Sequence, residues 1–413
     1  MIVPGSIPRT DRTLALLGGS PVRSGSLSPW PLFGEEEIDQ VTQVLRSGKV
    51  NYWTGSECRA FEEEFAAHCH VDYALGVANG TVALELALQA FGIGAGDEVV
   101  VPPRTFIASA SCVVARGAIP VFADVDPVSQ TITADTVQAV LTPRTKAVIV
   151  VHLAGWPCDM DPIVELTRKR KIAVIEDCAQ AHGASYKGRP VGSLGDAAAF
   201  SFCQDKIMTT GGEGGMVVTS RRDVWERAWA YRDHGRNYQA VHHREHPPGF
   251  RWIFDSFGTN WRMIEIQAAI GRSQLRNSLV RWVERRRRNA ALLTACFRRC
   301  PALRLTEPPD HVYHSYYKYY TFVRPDRLRE GWDRDRLLAA FEAEGIPGLS
   351  GSCSEVYLEK AFDQTDIRPS QRLPVARELG ETSVMFLVHP TLTSAEIDAM
   401  CRAVEKVLAV ASR

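Results

Sequence analysis

Short apolar runs alternate with helical segments between residues 73 and 219, and this alternation limits the possible folds most strongly. Continuous apolar strands that alternate with helices are typical of a parallel sheet covered by helices on both faces. The apolar runs are Tyr73–Val77, Glu98–Val101, Val121–Ala123, Ala147–Val151, Ala173–Ile175, Ala197–Phe200 and Met216–Val218, and the helical segments include Thr81–Phe91, Ala108–Arg116 and Asp161–Arg170. Because such sheets bind ligands at the carboxyl ends of their strands, we expect the functional residues there.

The rest of the chain predicts a long loop followed by a smaller domain. Residues 233–260 contain His234, His242, His243 and His246, and they read as one ordered functional loop. A single helix is predicted over 262–299, a strand-like aromatic segment over 314–320, and helices over 333–344 and 394–410. We therefore predict an N-terminal extension (1–30), a large α/β domain (31–280) and a small α+β domain (281–413).

Composition excludes several classes of protein. Lys and Arg number 48, and so do Asp and Glu, so a protein that mainly clamps nucleic acid is not expected. The first residues lack the apolar core of a secretory signal, and the sequence has no apolar run of about 18 residues, so neither a secretory signal nor a membrane span is expected. None of the ten cysteines forms a CxxC pair, which is typical of reduced thiols in the cytoplasm.

Two charged residues follow consecutive predicted strands. Asp177 ends the strand that begins near Ala173, and Lys206 lies five residues beyond Ser201. A buried carboxylate needs a cation, and the protonated pyridine nitrogen of pyridoxal phosphate (PLP) is one such partner. A lysine near an apolar strand end can form a Schiff base and move protons. Taken alone, Asp177 also fits a turn cap and Lys206 a surface lysine.

A phosphate group could bind beside these residues. Gly80 and Thr81 lie between a strand and a helix, so their amides could point at an anion, although an ordinary helix cap explains them equally well. Ser201 could donate to a phosphate oxygen, and Phe106 could stack on a flat ring or simply belong to the core.

Other cofactors are poorly supported. The glycines of 211–215 follow Lys206 rather than a first strand, so they do not predict dinucleotide binding. The histidines of the long loop lack zinc-ligand spacing, and we predict no metal site.

Taken together, the motifs resemble the DegT-type sugar aminotransferases, a PLP-dependent family of fold type I that makes amino sugars in bacteria. The resemblance runs from about Pro29 to the C-terminus. It rests on segments 47–55, 79–84, 96–99, 105–106, 118–126, 142–146, 152–155, 159–161, 176–180, 201–206 and 260–271. The fold it implies is α/β, with a mostly parallel seven-stranded sheet in the large domain.

The resemblance also implies roles for individual residues. Lys206 is expected to be the Schiff-base lysine and Asp177 the partner of the pyridine nitrogen. Five further residues would contact the cofactor: Gly80, Thr81 and Ser201 at the phosphate, and Phe106 and Gln180 at the ring. Asn260 would reach into the neighbouring subunit's site, which implies a homodimer with shared active sites.

The expected reaction moves an amino group from L-glutamate or L-glutamine to a keto-sugar, most simply a nucleotide-linked one. A keto-cyclitol acceptor and a PLP-dependent sugar dehydratase remain alternatives, although related dehydratases have histidine where Lys206 stands. A non-catalytic binding protein is a further alternative. His314 is expected to approach the substrate, and four residues are candidate diphosphate contacts: Arg232, His234, Arg251 and Arg262.

Two features depart from the family pattern. The loop from Thr209 to Gly215 has one extra glycine, and Ile207 follows the lysine where asparagine is common. Both changes leave the local geometry beside Lys206 open.

Overall fold

The computed structural model describes residues 13–245 and 251–413, and a seven-stranded sheet lies at its centre. The strands are β1 (Tyr73–Val77), β2 (Glu98–Val101), β3 (Ile119–Phe122), β4 (Thr145–Val151), β5 (Ala173–Asp177), β6 (Ser185–Tyr186), β7 (Arg189–Pro190), β8 (Ala197–Ser201), β9 (Gly215–Thr219), β10 (Leu303–Leu305), β11 (Val312–Tyr313), β12 (Tyr319–Val323) and β13 (Ser383–Phe386). The central sheet has the order β1-β9-β8-β5-β4-β2-β3. Only β9 runs antiparallel to its neighbours, so the prediction of a mostly parallel sheet is confirmed.

Helices cover the sheet and build the C-terminal part of the chain. They are α1 (Glu35–Ser47), α2 (Glu57–Cys69), α3 (Gly80–Ala90), α4 (Ala108–Ala115), α5 (Ala134–Gln138), α6 (Met160–Arg168), α7 (Arg222–Arg232), α8 (Tyr238–His242), α9 (Glu265–Asn277), α10 (Leu279–Phe297), α11 (Arg334–Ala343), α12 (Pro374–Thr382) and α13 (Ser394–Ala411). No helix in the described part of the chain combines the length and the apolar character that crossing a membrane requires.

Burial explains why the strands were readable in the sequence. Every residue of β2, β8 and β9 is buried, as expected for strands with helices on both faces. All seven predicted runs fall on the strands of the central sheet, with ends displaced by at most two residues.

The predicted single helix over 262–299 is wrong. The chain forms α9 and α10, which are separated at Ser278, where φ is −127° and ψ is −39°. Uninterrupted helical periodicity on both sides of Ser278 concealed this break. The long loop before α9 also contains the short helix α8, and His246 lies outside the described residues.

The aromatic segment 314–320 is only partly a strand. Tyr316 has a left-handed backbone with φ of 49°, which interrupts an extended chain. The amides of Ser315 and Tyr317 donate to the carbonyls of Gly155 and Ala154 rather than to a sheet. Consequently β12 begins only at Tyr319.

A second hydrophobic cluster forms around a three-stranded sheet of order β10-β12-β13. It contains residues of α10, α11 and α13, and it also contains Leu14 from the N-terminal segment. The Glu344 carboxylate accepts hydrogen bonds from the amides of Ala15 and Val22 at 2.9 and 3.0 Å. The N-terminal segment is therefore folded onto the C-terminal part from Thr13 onward. The domain limits stay a prediction, since Tyr317 and Tyr357 belong to the first cluster.

Candidate active site

Asp177 ends β5 at the carboxyl edge of the sheet and is 6% exposed. The Ser109 hydroxyl donates to its Oδ2 at 2.8 Å, and the Ala179 amide donates to its Oδ1 at 3.1 Å. Burial raises the pKa of the Asp177 carboxyl, although these two hydrogen bonds and the positive charge of Lys206 oppose the shift. The site thus holds a costly buried carboxylate that a cation in direct contact would stabilise.

Two hydroxyl groups, linked by a hydrogen bond, stabilise this carboxylate. Thr105 and Ser109 lie with their oxygens 2.8 Å apart. Because the Ser109 proton is donated to Asp177, the Thr105 hydroxyl donates to Ser109. The Thr105 amide in turn donates to the carbonyl of Cys353 at 3.1 Å. The carboxylate is therefore held from α4 and from the loop before it.

The N-terminus of α3 meets the end of β8 beside Asp177. Asn79 caps α3 by accepting a hydrogen bond from the Val82 amide at 3.0 Å. The amides of Gly80 and Thr81 belong to the first turn, where they have no intrahelical acceptor. A Cβ on Gly80 would lie 2.5 Å from the Cβ of Ser201, so only glycine permits this approach. Amides, a hydroxyl and a helix N-terminus together suit a phosphate group.

Lys206 follows β8 in a tight loop, and its side chain is 17% exposed. Its Nζ lies 3.7 Å from the Asp205 carboxylate and 5.2 Å from the centroid of the Tyr317 ring. Its carbonyl accepts a hydrogen bond from the Trp30 indole at 3.0 Å. Its neighbour Asp205 and two residues from distant parts of the sequence, Trp30 and Tyr317, thus surround this lysine.

The two residues expected at the cofactor ring differ in their exposure. Gln180 is buried, and its side-chain oxygen accepts from the Ala154 amide at 2.8 Å. That bond leaves its amide group available to donate. Phe106 is 67% exposed, which leaves a flat ring free to stack on a ligand.

The extra glycine beside Lys206 is accommodated by the backbone. Gly211 and Gly212 have φ values of 85° and 125°, which residues with a side chain rarely adopt. The Gly212 carbonyl accepts from the Gln204 amide at 2.9 Å. The Ile207 side chain is fully buried. Both departures from the family pattern therefore fit a closed, hydrogen-bonded loop.

His314 lies inside the protein rather than on an open surface. It is 5% exposed, and its ring stacks on Tyr316 with centroids 3.9 Å apart. Burial, with the neighbouring Arg287, lowers the pKa of His314 to about 3, so the imidazole is neutral. Its Nδ1 accepts from the Tyr316 amide at 2.8 Å. The structure thus gives His314 a role in shaping the 314–318 segment.

The candidate diphosphate contacts separate into two groups. Arg232 is fully buried, donates to the Gly76 carbonyl at 2.9 Å and forms an ion pair with Glu62, so it has no surface from which to contact a substrate. Arg262 forms an ion pair with Asp233. His234 and Arg251 are exposed, and so is Asn260, the residue expected to reach the neighbouring subunit's site.

One buried group, His152 with Glu176 and Cys178, has the composition of a metal site. However, the Glu176 carboxylate already accepts from the amides of Gly192, Leu194 and Gly195 at 2.8 to 2.9 Å. It also lies 2.9 Å from His152 Nε2. Burial raises the pKa of the Cys178 thiol, which keeps it protonated. This group holds together the loop after β4 and the segment between β7 and β8.

Sequence reasoning missed Ser109, Trp30, Tyr317 and Lys318. Ser109 lies three residues after Phe106 at the start of a helix, and that spacing was the available signal. The other three act through contacts between distant segments, which a single sequence does not reveal.

Comparison with known proteins agrees with this geometry. The model of the DegT/DnrJ/EryC1/StrS aminotransferase family matches residues 31–405. GDP-perosamine synthase from Caulobacter vibrioides is 38% identical over 365 residues, covering 84% of this chain and 89% of that protein. L-glutamine:2-deoxy-scyllo-inosose aminotransferase from Streptomyces kanamyceticus is 36% identical over 350 residues, covering 83% and 81%. The crystal structure of an aminotransferase from Psychrobacter cryohalolentis has 55% identity and a TM-score of 0.90, covering 93% and 99%.

The chain therefore belongs to the DegT/DnrJ/EryC1/StrS aminotransferase family. It is a PLP-dependent aminotransferase of fold type I. The residues present fit the cofactor. Asp177 is a buried carboxylate with no cation in direct contact among the described residues. At the N-terminus of α3, the absence of a Cβ on Gly80 leaves a cradle beside Ser201.

Proposed function

We propose that this enzyme transfers the amino group of L-glutamate or L-glutamine to the ketone of a nucleotide-linked sugar. The observation that carries the proposal is the meeting of Asp177, the Gly80–Ser201 cradle and Lys206 at one edge of the sheet. The similarity to GDP-perosamine synthase supports a nucleotide-linked acceptor. The similarity to the scyllo-inosose aminotransferase keeps a keto-cyclitol as the second candidate.

Several residues are proposed to hold the cofactor. Gly80 and Thr81 would bind its phosphate through their amides, with the Ser201 hydroxyl as a further donor. Phe106 would stack on the ring, and Gln180 would contact its hydroxyl side. When bound, pyridoxal phosphate supplies an electron sink for negative charge at the carbon next to the amino group.

The chain's own residues are proposed to stabilise charge on the cofactor and to transfer protons. Asp177 would pair with the protonated ring nitrogen, and the hydrogen bond from Ser109 favours the ionised form of its carboxylate. The Lys206 Nζ would accept the proton that leaves the α-carbon of the amino donor. In the second half-reaction the same Nζ delivers a proton to the sugar carbon that becomes aminated.

We further propose a homodimer in which Asn260 completes the neighbouring subunit's phosphate site. Trp252 and Phe257, in the same segment, are 84% and 99% exposed, and such apolar exposure is typical of an interface. His234 and Arg251 are proposed to contact the substrate's diphosphate from this segment. The ten free thiols support a cytoplasmic location.

The absorption spectrum of the purified enzyme, before and after L-glutamate is added, tests the cofactor and the donor together. A visible cofactor band that disappears with L-glutamate supports the proposal, and Lys206→Ala is expected to abolish both the band and turnover. Lys187→Met is a matched control, because Lys187 forms a surface ion pair with Asp161. A wild-type spectrum that stays flat even after incubation with PLP contradicts the proposal.

A panel of nucleotide-linked keto-sugars and keto-cyclitols, analysed by mass spectrometry, then identifies the acceptor class. Exclusive amination of a cyclitol would replace the sugar in the proposal. Loss of a hydroxyl group with release of ammonia would favour the dehydratase. Cofactor and sugar binding without turnover on either donor would favour a binding protein.

A further inference from the structure

The segment 314–318 is docked against the loop that follows β4. The amides of Ser315 and Tyr317 donate to the carbonyls of Gly155 and Ala154 at 3.0 and 2.8 Å. Gly155 has φ of 95°, and a Cβ there would lie 2.5 Å from the Ser315 hydroxyl. The loop therefore fixes the direction in which the chain continues into β12.

This docking brings a second lysine beside Lys206. The Nζ of Lys318 lies 4.7 Å from the centroid of the Tyr317 ring, and the Nζ of Lys206 lies 5.2 Å from the same centroid. The Tyr317 hydroxyl donates to Asp205, whose carboxylate lies 3.7 Å from Lys206 Nζ. Lys318 is thus part of the immediate surroundings of the reacting centre.

The cluster carries more positive than negative charge. Asp205 interacts electrostatically with both lysines and with Arg286. Arg286 is fully buried and donates to the Tyr317 carbonyl at 3.0 Å, while its Nε and Nη2 have no hydrogen-bond partner among the described residues. Asp205 therefore faces three cationic side chains, and Asp177 interacts with only one of them, Lys206.

The neighbouring imidazole does not correct this imbalance. Burial lowers the pKa of His389 to about 4, and Arg286 and Lys318 act in the same direction, so the ring is neutral. Burial also lowers the pKa of Lys318 to about 8, with Arg286 and Lys206 contributing and Asp205 opposing. An anion bound at Lys318 would stabilise its charged form.

We propose that Lys318 binds the α-carboxylate of the amino donor, an inference that rests on the proposed aminotransferase function. A carboxylate on the carbon next to the reacting nitrogen is the anionic group that must lie close to Lys206. The diphosphate of a nucleotide sugar is attached at a different carbon from the reacting ketone, which places it farther away. The shared position of the two lysines on Tyr317 therefore favours the donor over the acceptor.

The test compares the donor half-reaction in the wild-type holoenzyme, Lys318→Met and Lys318→Arg. The loss of cofactor absorbance is followed at increasing concentrations of L-glutamate and of L-glutamine. We expect Lys318→Met to raise the half-saturating concentration of both donors by roughly 10- to 100-fold, the value of a hydrogen bond to a charged group. Lys318→Arg is expected to restore most of this loss. Lys187→Met is the control for removal of a lysine elsewhere.

The two donors distinguish the carboxylates, because L-glutamine has only the α-carboxylate. An equal loss for both supports the proposal, and a loss confined to L-glutamate assigns Lys318 to the γ-carboxylate and overturns it. Unchanged half-saturation in a Lys318→Met enzyme that retains its cofactor band also overturns it. If the wild-type enzyme itself does not respond to either donor, the proposed function fails instead.

Discussion

Ser109 is the residue through which we test the role of Asp177. In Ser109→Ala, Asp177 loses the hydroxyl donor at 2.8 Å and keeps only the Ala179 amide at 3.1 Å. A hydrogen bond to a charged group contributes about 1.5–3 kcal/mol, so its loss raises the pKa of the carboxyl further. Asp177 already has a pKa raised by burial. A more basic carboxyl takes up a proton more readily and then no longer stabilises the protonated ring nitrogen of the cofactor.

We therefore expect the donor half-reaction of Ser109→Ala to slow by about 10- to 150-fold, with little change in half-saturation. The assay is the stopped-flow change of cofactor absorbance on mixing with L-glutamate. Ser111→Ala is the matched control, because Ser111 lies on the same helix α4 and has no place in the Asp177 network. A Ser109→Ala rate within twofold of wild type, in an enzyme that retains its cofactor, would refute the argument that Ser109 sustains the Asp177 charge.

Three further predictions address the Gly80–Ser201 cradle, the loop of Lys206 and the N-terminal segment. Gly80→Ala places a Cβ 2.5 Å from the Ser201 Cβ, so cofactor retention during dialysis is expected to fall while unfolding remains cooperative. Trp30→Phe removes the 3.0 Å hydrogen bond to the Lys206 carbonyl, and kcat is expected to fall by about 2- to 12-fold without a matching change in donor KM. Burial would raise the pKa of Glu396, but hydrogen bonds from nearby amides and hydroxyls lower it from 4.5 to about 2. A depressed carboxyl pKa stabilises the fold above pH 4.5, and this stabilisation is lost as the pH falls toward 2. The difference in melting temperature between wild type and Glu396→Gln should therefore be largest at neutral pH and should shrink below pH 4.5.

The sequence predicted those parts of the fold that depend on local pattern. Strands buried on both faces are continuous apolar runs, so the central sheet could be read directly. The break at Ser278 could not, because helical periodicity continues across it. The segment after His314 was predicted as a strand that begins too early, for a different reason. Its aromatic residues have high strand propensity, but tertiary hydrogen bonds to Ala154 and Gly155 override that preference.

The residues of the candidate site likewise divide into those that the local sequence pattern predicts and those whose surroundings depend on distant segments. Asp177 and Lys206 could be predicted because each follows a readable strand, and strand ends meet at one edge of the sheet. Arg232 was misjudged as a possible substrate contact because its buried partner, Glu62, lies 170 residues away in the sequence. An arginine's burial depends on such distant partners, and composition alone gives no sign of them.

The surroundings of Lys206 show why the position of its loop cannot be understood from the central sheet and its helices alone. The Lys206 carbonyl accepts a hydrogen bond from the Trp30 indole. The Arg286 guanidinium lies over the Trp30 ring, 5.0 Å from the ring centroid. Arg286 in turn bonds the Tyr317 carbonyl, and the Tyr317 ring contacts the Lys206 ammonium. These contacts lead from Lys206 through the N-terminal segment, α10 and the segment before β12, and back to Lys206. Because these elements contact both the carbonyl and the side chain of Lys206, the position of its amine depends on how the N-terminal segment and the C-terminal part pack.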